Sequence, residues 1–136
     1  MKIFITASKD FYGKVSEIKN TLEAMGHEIT PPNGYDEPEA ENEYLKRTPD
    51  QYSDWKAEMI REDGRIVARN DAVLVLNFEK RGIPNYIGGA TFLEMFKAFD
   101  LDKKLYLYNP IPDNLLTDEI IGLKPVVING DLSRVV

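Results

Sequence analysis

The run AVLVLNF at residues 72–78 decides the fold, because it is a continuous apolar stretch of strand length. A strand without polar alternation is typical of a parallel sheet, in which both faces of each strand are covered. Shorter apolar runs stand at 2–7 (KIFITA) and 104–109 (KLYLYN), and smaller ones at 28–30 (EIT) and 125–128 (PVVI). Together these segments predict a sheet of five strands.

Helical periodicity fills the intervals between the strands. Apolar residues recur at spacings of three and four over residues 15–25, and Gly26 follows where a C-cap glycine belongs. A second helix is predicted from about Pro49 to Arg69, either continuous or broken at Gly64, because glycine costs a helix about 1 kcal/mol relative to alanine. A third is predicted over about 90–101, with an apolar stripe formed by Phe92, Met95, Phe96 and Phe99.

Strands and helices therefore alternate along the chain, which ends with a short helical piece near 115–121 and the last strand. This alternation predicts an α/β fold: one domain over residues 1–136, with a doubly wound, mostly parallel five-stranded sheet and helices on both faces, of the Rossmann or flavodoxin type. Ligands of such sheets bind in the crevice outside the carboxyl ends of the strands. Three segments are expected to meet there: Thr6–Phe11, Asn77–Thr91 and Asn109–Asp113.

Composition narrows the classes of function. The net charge is −6 and no apolar run approaches the roughly 18 residues of a membrane span, so neither a nucleic-acid polymer nor a membrane is expected as partner. The start, MKIFITASKD, lacks the long apolar core of a signal peptide, which predicts a cytoplasmic protein. There is no cysteine and one histidine, His27, so a Ser-His-Asp triad, a disulfide or a Cys-based metal site is not expected. Catalysis would depend on carboxylates, hydroxyls, amides, lysine or arginine, and we expect no metal or organic cofactor.

The segment NYIGGATFLE at residues 85–94 carries the clearest functional signal, because it joins the buried strand to the third helix. Gly88 and Gly89 allow a ligand to approach the backbone closely, and the free N–H groups at the start of a helix can hold an anion. Thr91 adds a hydroxyl, and Glu94 adds a carboxylate that can attack a sugar carbon. A tight turn and helix cap without a ligand is the alternative for the glycines. Stabilisation of the helix by its dipole is the alternative for Glu94.

Two aspartates precede the buried strand. Asp63 falls on the apolar face of its helix, where a charged group must be paired, hydrogen-bonded or functional. If it lies beside Glu94, its pKa should be raised, so that a protonated Asp63 donates while an ionised Glu94 attacks. Asp71 follows Asn70 at the end of the helix, where a turn held by side-chain to backbone hydrogen bonds is the alternative to a ligand contact.

These features resemble the nucleoside 2-deoxyribosyltransferase family and the related deoxynucleoside 5'-monophosphate N-glycosidases. The resemblance covers most of residues 1–110. It is carried by the strand and turn KIFITAS (2–8), by the spacing of Asp63 and Asp71, by GATFLEMFKA (89–98) and by the basic pair before LYL (105–107). The run from Gly88 to Glu94 also resembles the phosphate-binding motif of the lysine-decarboxylase-like nucleoside-monophosphate phosphoribohydrolases, which cleave the same kind of bond.

The resemblance implies an enzyme that cleaves or exchanges the N-glycosidic bond of a (deoxy)nucleoside or nucleoside 5'-monophosphate. Glu94 would be its nucleophile, and Asp63 would handle the proton of the base. Residues at the strand ends are added to those that the resemblance implies. The candidate substrate-binding residues are then Thr6, Ala7, Ser8, Asp71, Asn77, Gly88, Gly89, Thr91 and Asn109. A homo-oligomer, most simply a two-fold dimer, is expected from the many aromatic and apolar residues of so small a chain. The resemblance further implies that its sites are completed across the subunit interface.

Gly88 stands where the family has Asp or Ser, and Phe4 stands where some members have a Tyr that steadies the nucleophile. These differences keep a second function open, namely a nucleotide-binding or sensing module on the same fold without chemistry. A third is an interaction domain whose contact is the acidic stretch 33–50. That stretch is predicted to be a long loop, with or without one short helical turn.

Overall fold

The computed structural model describes residues 1–136 and contains one five-stranded sheet. Its strands are β1 (Lys2–Thr6), β2 (Glu28–Thr30), β3 (Ala72–Val75), β4 (Lys104–Leu107) and β5 (Val126–Val127). They lie in the order β2-β1-β3-β4-β5, and every neighbouring pair is parallel. The predicted α/β fold class is confirmed, and this strand order is that of a flavodoxin-like sheet.

Five helices connect the strands: α1 (Val15–Ala24), α2 (Ala40–Leu45), α3 (Pro49–Arg69), α4 (Gly89–Asp100) and α5 (Thr117–Gly122). α3 begins at a capping box, in which the Thr48 hydroxyl accepts from the Gln51 N–H and the Gln51 side chain accepts from the Thr48 N–H. The helix passes unbroken through Gly64, so the continuous alternative is confirmed for this segment. None of the helices combines the length and the apolar character that a bilayer crossing requires.

The sheet separates two apolar layers. Because successive side chains of a strand point to opposite faces, β1 places Ile3 and Ile5 in one layer and Phe4 in the other. The first layer is covered by α1 and by the C-terminal segment, which contributes Ile128 and Val135. The second is covered by α3, α4 and α5. Helices therefore cover both faces of the sheet, as the alternation of elements predicted.

The buried face of α4 differs from the predicted stripe. Glu94 and Met95 face the interior, together with Thr91 and Ala98, whereas Phe96 is 50% exposed and Phe99 45%. The prediction is therefore wrong for these two phenylalanines, although Phe92 and Met95 do contact the core. Hydrophobicity alone favours burying every phenylalanine, but α4 packs against both α3 and the sheet through Met95 and the small Ala98. This orientation of the helix turns the Glu94 carboxylate inward.

Candidate active site

A cavity of about 280 Å³ opens at the carboxyl ends of the strands. The chain winds outward from β1 and β3 in opposite directions, to β2 on one side and to β4 on the other, which leaves a crevice between the two connections. The predicted residues that line this cavity are Thr6, Ala7, Ser8, Asp63, Gly88, Gly89, Thr91 and Glu94. The end of β1 and the start of α4 thus meet at one cavity with a carboxylate from α3.

Glu94 lies at the wall of the cavity and is 6% exposed. Its Oε2 atom is buried and has no hydrogen-bond partner in the protein. Burial raises the pKa of Glu94 well above its usual range, the neighbouring Asp63 raises it further, and the Thr6 hydroxyl acts in the opposite direction. A buried acceptor without a partner is costly to the fold, so this carboxylate is a strong candidate for direct contact with a ligand.

Asp63 is half-buried on α3 and faces the same cavity. Its Oδ1 accepts a hydrogen bond of 2.9 Å from the Asn33 side-chain amide. Burial raises the pKa of Asp63, while the hydrogen bond from Asn33 and the charge of Lys56 lower it, and the net direction is upward. The expectation of a raised Asp63 pKa is therefore confirmed.

The two carboxylates are neighbours, and a proton shared between them lowers the pKa of Asp63 while raising that of Glu94. Glu94 is the more deeply buried of the two, and its pKa is raised further than that of Asp63, so a shared proton is favoured on Glu94 and the charge on Asp63. This is opposite to the expected division, in which Glu94 stays ionised beside a protonated Asp63. The sequence placed Asp63 on the apolar face of its helix, but it left Glu94 outside the predicted apolar stripe of α4 and could not rank the burial of the two carboxylates.

Tyr12 also lines the cavity and was not among the predicted site residues. Burial raises its pKa to about 12, with further contributions from the charges of Glu94, Asp63 and Glu41. Its hydroxyl therefore remains a proton donor at neutral pH, and it donates a long hydrogen bond of 3.4 Å to the Asn33 carbonyl. Tyr12 lies in the 3₁₀ helix Lys9–Lys14 between β1 and α1, and only the three-dimensional fold brings it to the carboxylates.

The acidic stretch forms one rim of the cavity. It contains the short helix α2, so the form of this loop with one helical turn is confirmed. The Tyr44 ring stacks on Trp55 of α3 with centroids 5.0 Å apart and 11° between the planes. Lys56 pairs with Glu41 at 2.9 Å, and these contacts hold α2 against α3 over the cavity.

Three predicted site residues lie away from the cavity. Asp71 stands at the opposite, amino end of β3, where its Oδ2 accepts from the Lys2 N–H at 2.8 Å. This hydrogen bond joins two distant segments of the chain instead of closing the local turn given as the alternative. Asn77 and Asn109 follow β3 and β4 and bond to each other: Asn77 Oδ1 accepts from the Asn109 N–H at 2.8 Å, and Asn77 Nδ2 donates to the Asn109 carbonyl at 3.0 Å. The two asparagines join neighbouring strand ends, so all three residues make hydrogen bonds within the protein and lie outside the lining of the cavity.

A second opening reaches the same carboxylates from the other side of α4. A groove between α3 and α4 is lined by Ile60, Gly64, Leu93, Phe96, Lys97 and Leu101, and it also touches Asp63 and Glu94. The carboxylate pair therefore separates the cavity from this groove. A molecule covering the groove would close one route of water to the pair.

Comparison with protein families and with curated proteins gives no match to this chain. The chemistry of the cavity is thus argued from its own residues. Two interacting carboxylates in unlike environments can divide the roles of acid and nucleophile, as glycosidases do at an acetal carbon. The N–H groups at the start of α4 and the flexible backbone of Gly88 and Gly89 add a place for an oxygen-rich or anionic group.

Proposed function

We propose that the protein cleaves or exchanges the N-glycosidic bond of a (deoxy)nucleoside or a nucleoside 5'-monophosphate, with Glu94 as the nucleophile. The observation that carries the proposal is the buried Glu94–Asp63 pair, whose Oε2 atom on Glu94 has no partner in the protein. The resemblance of the segment 2–8 and of the run from Gly88 to Glu94 to the nucleoside 2-deoxyribosyltransferase family points to the same bond.

The proposed reaction moves a single proton within the carboxylate pair. Glu94 first gives its proton to Asp63, and the Glu94 carboxylate then attacks the anomeric carbon of the sugar. The carbon–nitrogen bond breaks, its electron pair goes to the base nitrogen, and that nitrogen takes the proton from Asp63. The products of this half-reaction are the free base and a glycosyl ester of Glu94.

The second half-reaction reverses these roles. Water or a second base attacks the anomeric carbon and gives its proton to the Asp63 carboxylate, and the ester bond to Glu94 breaks. The configuration at the anomeric carbon is retained after the two displacements. Tyr12, which stays protonated because its pKa is about 12, supplies a donor beside the charge that moves between the carboxylates.

The test is incubation with a panel of deoxynucleosides, nucleosides and their 5'-monophosphates, followed by chromatography for released or exchanged base. The variant Glu94→Ala should lose this activity and keep its helix, since alanine is a good helix former. Asp71→Ala is the matched control, because it removes a carboxylate at the amino end of β3. Turnover of Glu94→Ala within about tenfold of the parent, which is about 1.4 kcal/mol of barrier, would contradict a nucleophilic role.

A second candidate function is a nucleotide-binding module without chemistry. It is favoured by the proton on Glu94, since a protonated carboxyl is a poor nucleophile, and by the glycine at position 88. In that case a nucleotide raises the melting temperature of the protein while no base is released from any member of the panel. Release of base from any member excludes this alternative.

We also propose that the protein forms a two-fold dimer through the exposed apolar face of α4. Leu93, Phe96 and Phe99 of α4 and Leu101 directly after it are between 37% and 50% exposed, and all but Phe99 line the groove that reaches the carboxylates. Neighbouring exposed apolar side chains that together form a large patch are characteristic of protein interfaces. Phe96→Glu should convert a dimeric mass in light scattering to a monomeric one. A parent that is monomeric at all working concentrations would contradict the proposal.

A further inference from the structure

One face of α3 gives the cavity an apolar surface with a carboxylate next to it. Trp55, Met59 and Asp63 stand four residues apart, so they lie on the same side of the helix, and all three line the cavity. The Trp55 ring is held in place by its stack on Tyr44. Such a surface accommodates a flat heterocycle, whose polar edge then meets Asp63.

Asn33 is fixed at the rim of the same cavity by a tight turn. The Tyr35 N–H donates to the Pro32 carbonyl at 3.0 Å, and Gly34, the third residue of the turn, has a φ of 88°. A turn with a positive φ at its third residue alone is of type II, in which glycine is favoured at that place. The Tyr12 hydroxyl also donates to the Asn33 carbonyl. The backbone of Asn33 is therefore held, and its side chain extends from a fixed point.

The contacts of the Asn33 amide determine which way that group is turned. Its Nδ2 donates to Asp63 Oδ1 at 2.9 Å and, over a longer distance of 3.4 Å, to the Met59 carbonyl. The reversed amide would place Oδ1 against these two acceptors, so it would lose both hydrogen bonds. Asn33 Oδ1 itself has no partner in the protein, and the one partnerless side-chain atom that is buried is Oε2 of Glu94. Asn33 Oδ1 is thus an accessible acceptor whose orientation is locked to Asp63.

An acceptor beside a proton donor matches one kind of base edge. We propose that Asn33 determines specificity, by selecting a base with an amino group on the same edge as a ring nitrogen, as in adenine and cytosine, over the corresponding oxo base. The amino group donates to Asn33 Oδ1, while the ring nitrogen takes the proton of Asp63. This inference rests on the proposed function, because it takes Asp63 to be the group that protonates the base.

This edge is compatible with the proton balance of the proposed reaction. The ring nitrogen beside the amino group is N7 in adenine and N3 in cytosine, and each belongs to the ring system that leaves the sugar. When the carbon–nitrogen bond breaks, its electron pair enters that ring system. For such a base the proton goes to this ring nitrogen instead of to the leaving nitrogen, and the base departs as a neutral tautomer. Asp63 is left as a carboxylate and Glu94 as a glycosyl ester.

An oxo base presents the wrong group to the same pair. Its carbonyl oxygen would face Asn33 Oδ1, and two acceptors without a proton between them repel each other. The amide cannot turn over to donate to this oxygen, because Nδ2 would then leave Asp63. A site built to hydrogen-bond one group of a substrate strongly rejects an analogue that lacks this group. A well-placed pair of contacts to a base edge discriminates between bases by about tenfold or more.

Two matched pairs of substrates test the proposal: deoxyadenosine against deoxyinosine, and deoxycytidine against deoxyuridine. We expect the kcat/KM of the parent to be at least about tenfold higher for the amino member, in whichever pair the protein turns over faster. Asn33→Ala should bring this ratio to within about threefold. A merely positional effect on Asp63 would slow both members alike and leave the ratio unchanged. Asn20→Ala is the matched control, because Asn20 is exposed on α1 outside the cavity.

Binding of the free bases gives a readout that does not depend on turnover. In calorimetric titration the parent should bind the amino base at least about tenfold more tightly than the oxo base of the same pair, and Asn33→Ala should lose this difference. If Asn33→Ala does not fold, Asn33→Ser should narrow the ratio in the same way, since its hydroxyl rotates to donate or to accept. Equal affinity of the parent for the two bases, or no affinity for either, would overturn the proposal. So would a ratio that persists in the folded variant.

The failure of this inference can be separated from failure of the proposed function. Release of base from the amino and oxo members with the same kcat/KM would leave the glycosidic chemistry standing and overturn the selectivity. A binding preference for the amino base that depends on Asn33, with no base released from any substrate, would support recognition by Asn33 and exclude the chemistry.

Discussion

Replacing Glu94 by glutamine should make the protein more stable while it abolishes turnover. The parent buries a carboxyl group whose Oε2 atom has no hydrogen-bond partner, beside the charged Asp63. Glutamine keeps the shape of the side chain, cannot ionise, and offers an amide that can donate to the Asp63 carboxylate. A buried polar group without a partner costs about 1–3 kcal/mol, and Glu94→Gln should recover a gain of this size at neutral pH.

The gain should depend on pH, and its sign follows from the raised pKa of Glu94. The unfolded chain releases this proton near pH 4.3, whereas the folded chain retains it to higher pH. Over that interval the folded state binds more protons, so the free energy of unfolding of the parent falls as the pH rises through the folded pKa. Glu94→Gln lacks this loss, and its advantage over the parent should be small at pH 4 and increase toward pH 8.

Urea denaturation followed by the fluorescence of Trp55, the single tryptophan, measures these free energies at each pH. At neutral pH the expected gain corresponds to a rise of about 3–10 °C in Tm. Glu62→Gln is the matched control on α3. Its partly exposed carboxylate has a pKa lowered by hydrogen bonds from Arg65 and Arg69, so the stability that it contributes is present above its unfolded pKa and is lost as the pH falls. Glu62→Gln should therefore destabilise at neutral pH, which is the opposite sign. Parallel stability curves for the parent and Glu94→Gln across this range would refute the reasoning.

Three further variants separate the roles of neighbouring groups. Asp63→Asn should slow the release of bases that must be protonated to leave and spare substrates with an activated leaving group; equal losses measured by kcat on both would indicate positioning only. Asn33→Ala removes the hydrogen bond of 2.9 Å that lowers the pKa of Asp63, so the optimum of kcat/KM should move to higher pH, and an unchanged pH profile would contradict this. Asn77→Ala deletes three hydrogen bonds to Asn109 and Pro110 and should cost roughly 2–4 kcal/mol in urea denaturation without altering nucleotide affinity.

The fold could be predicted because its decisive signals are local. The apolar run after Asp71 is buried on both faces, and the alternation of strands with helices admits few topologies besides a parallel sheet. The range predicted for α3 agrees with the structure because Pro49 marks the first turn and the apolar spacing continues to Arg69. The strand order was not predicted in detail, since pairing depends on contacts between segments far apart in the chain.

The site could be predicted only where a rule of topology applies. The rule that ligands bind at strand ends led to Thr6–Ser8 and the start of α4, which line the cavity. It also led to Asn77 and Asn109, which lie outside the cavity and satisfy each other's hydrogen bonds at the same edge of the sheet. Tyr12 and Asn33 were missed because a 3₁₀ helix after β1 and a loop after β2 bring them to the cavity. Asn33 lies 30 positions from Asp63, and no sequence spacing relates such a pair.

The orientation of α4 connects these findings. Its sequence offers a better apolar face than the one that it buries, because Phe96 and Phe99 are half exposed while Glu94 is buried with Met95 and Ala98. A helix that exposes phenylalanine and buries a carboxylate contradicts the preferences of its own side chains, and such conflicts are expected at functional sites. The buried carboxylate and the exposed phenylalanines each correspond to one proposed function of the helix. The buried carboxylate is the proposed nucleophile, whose removal should raise stability, and the exposed phenylalanines form the face proposed to bind a second copy. If Glu94→Gln were less stable than the parent and Phe96→Glu left the mass unchanged, the orientation of α4 would have no functional cause.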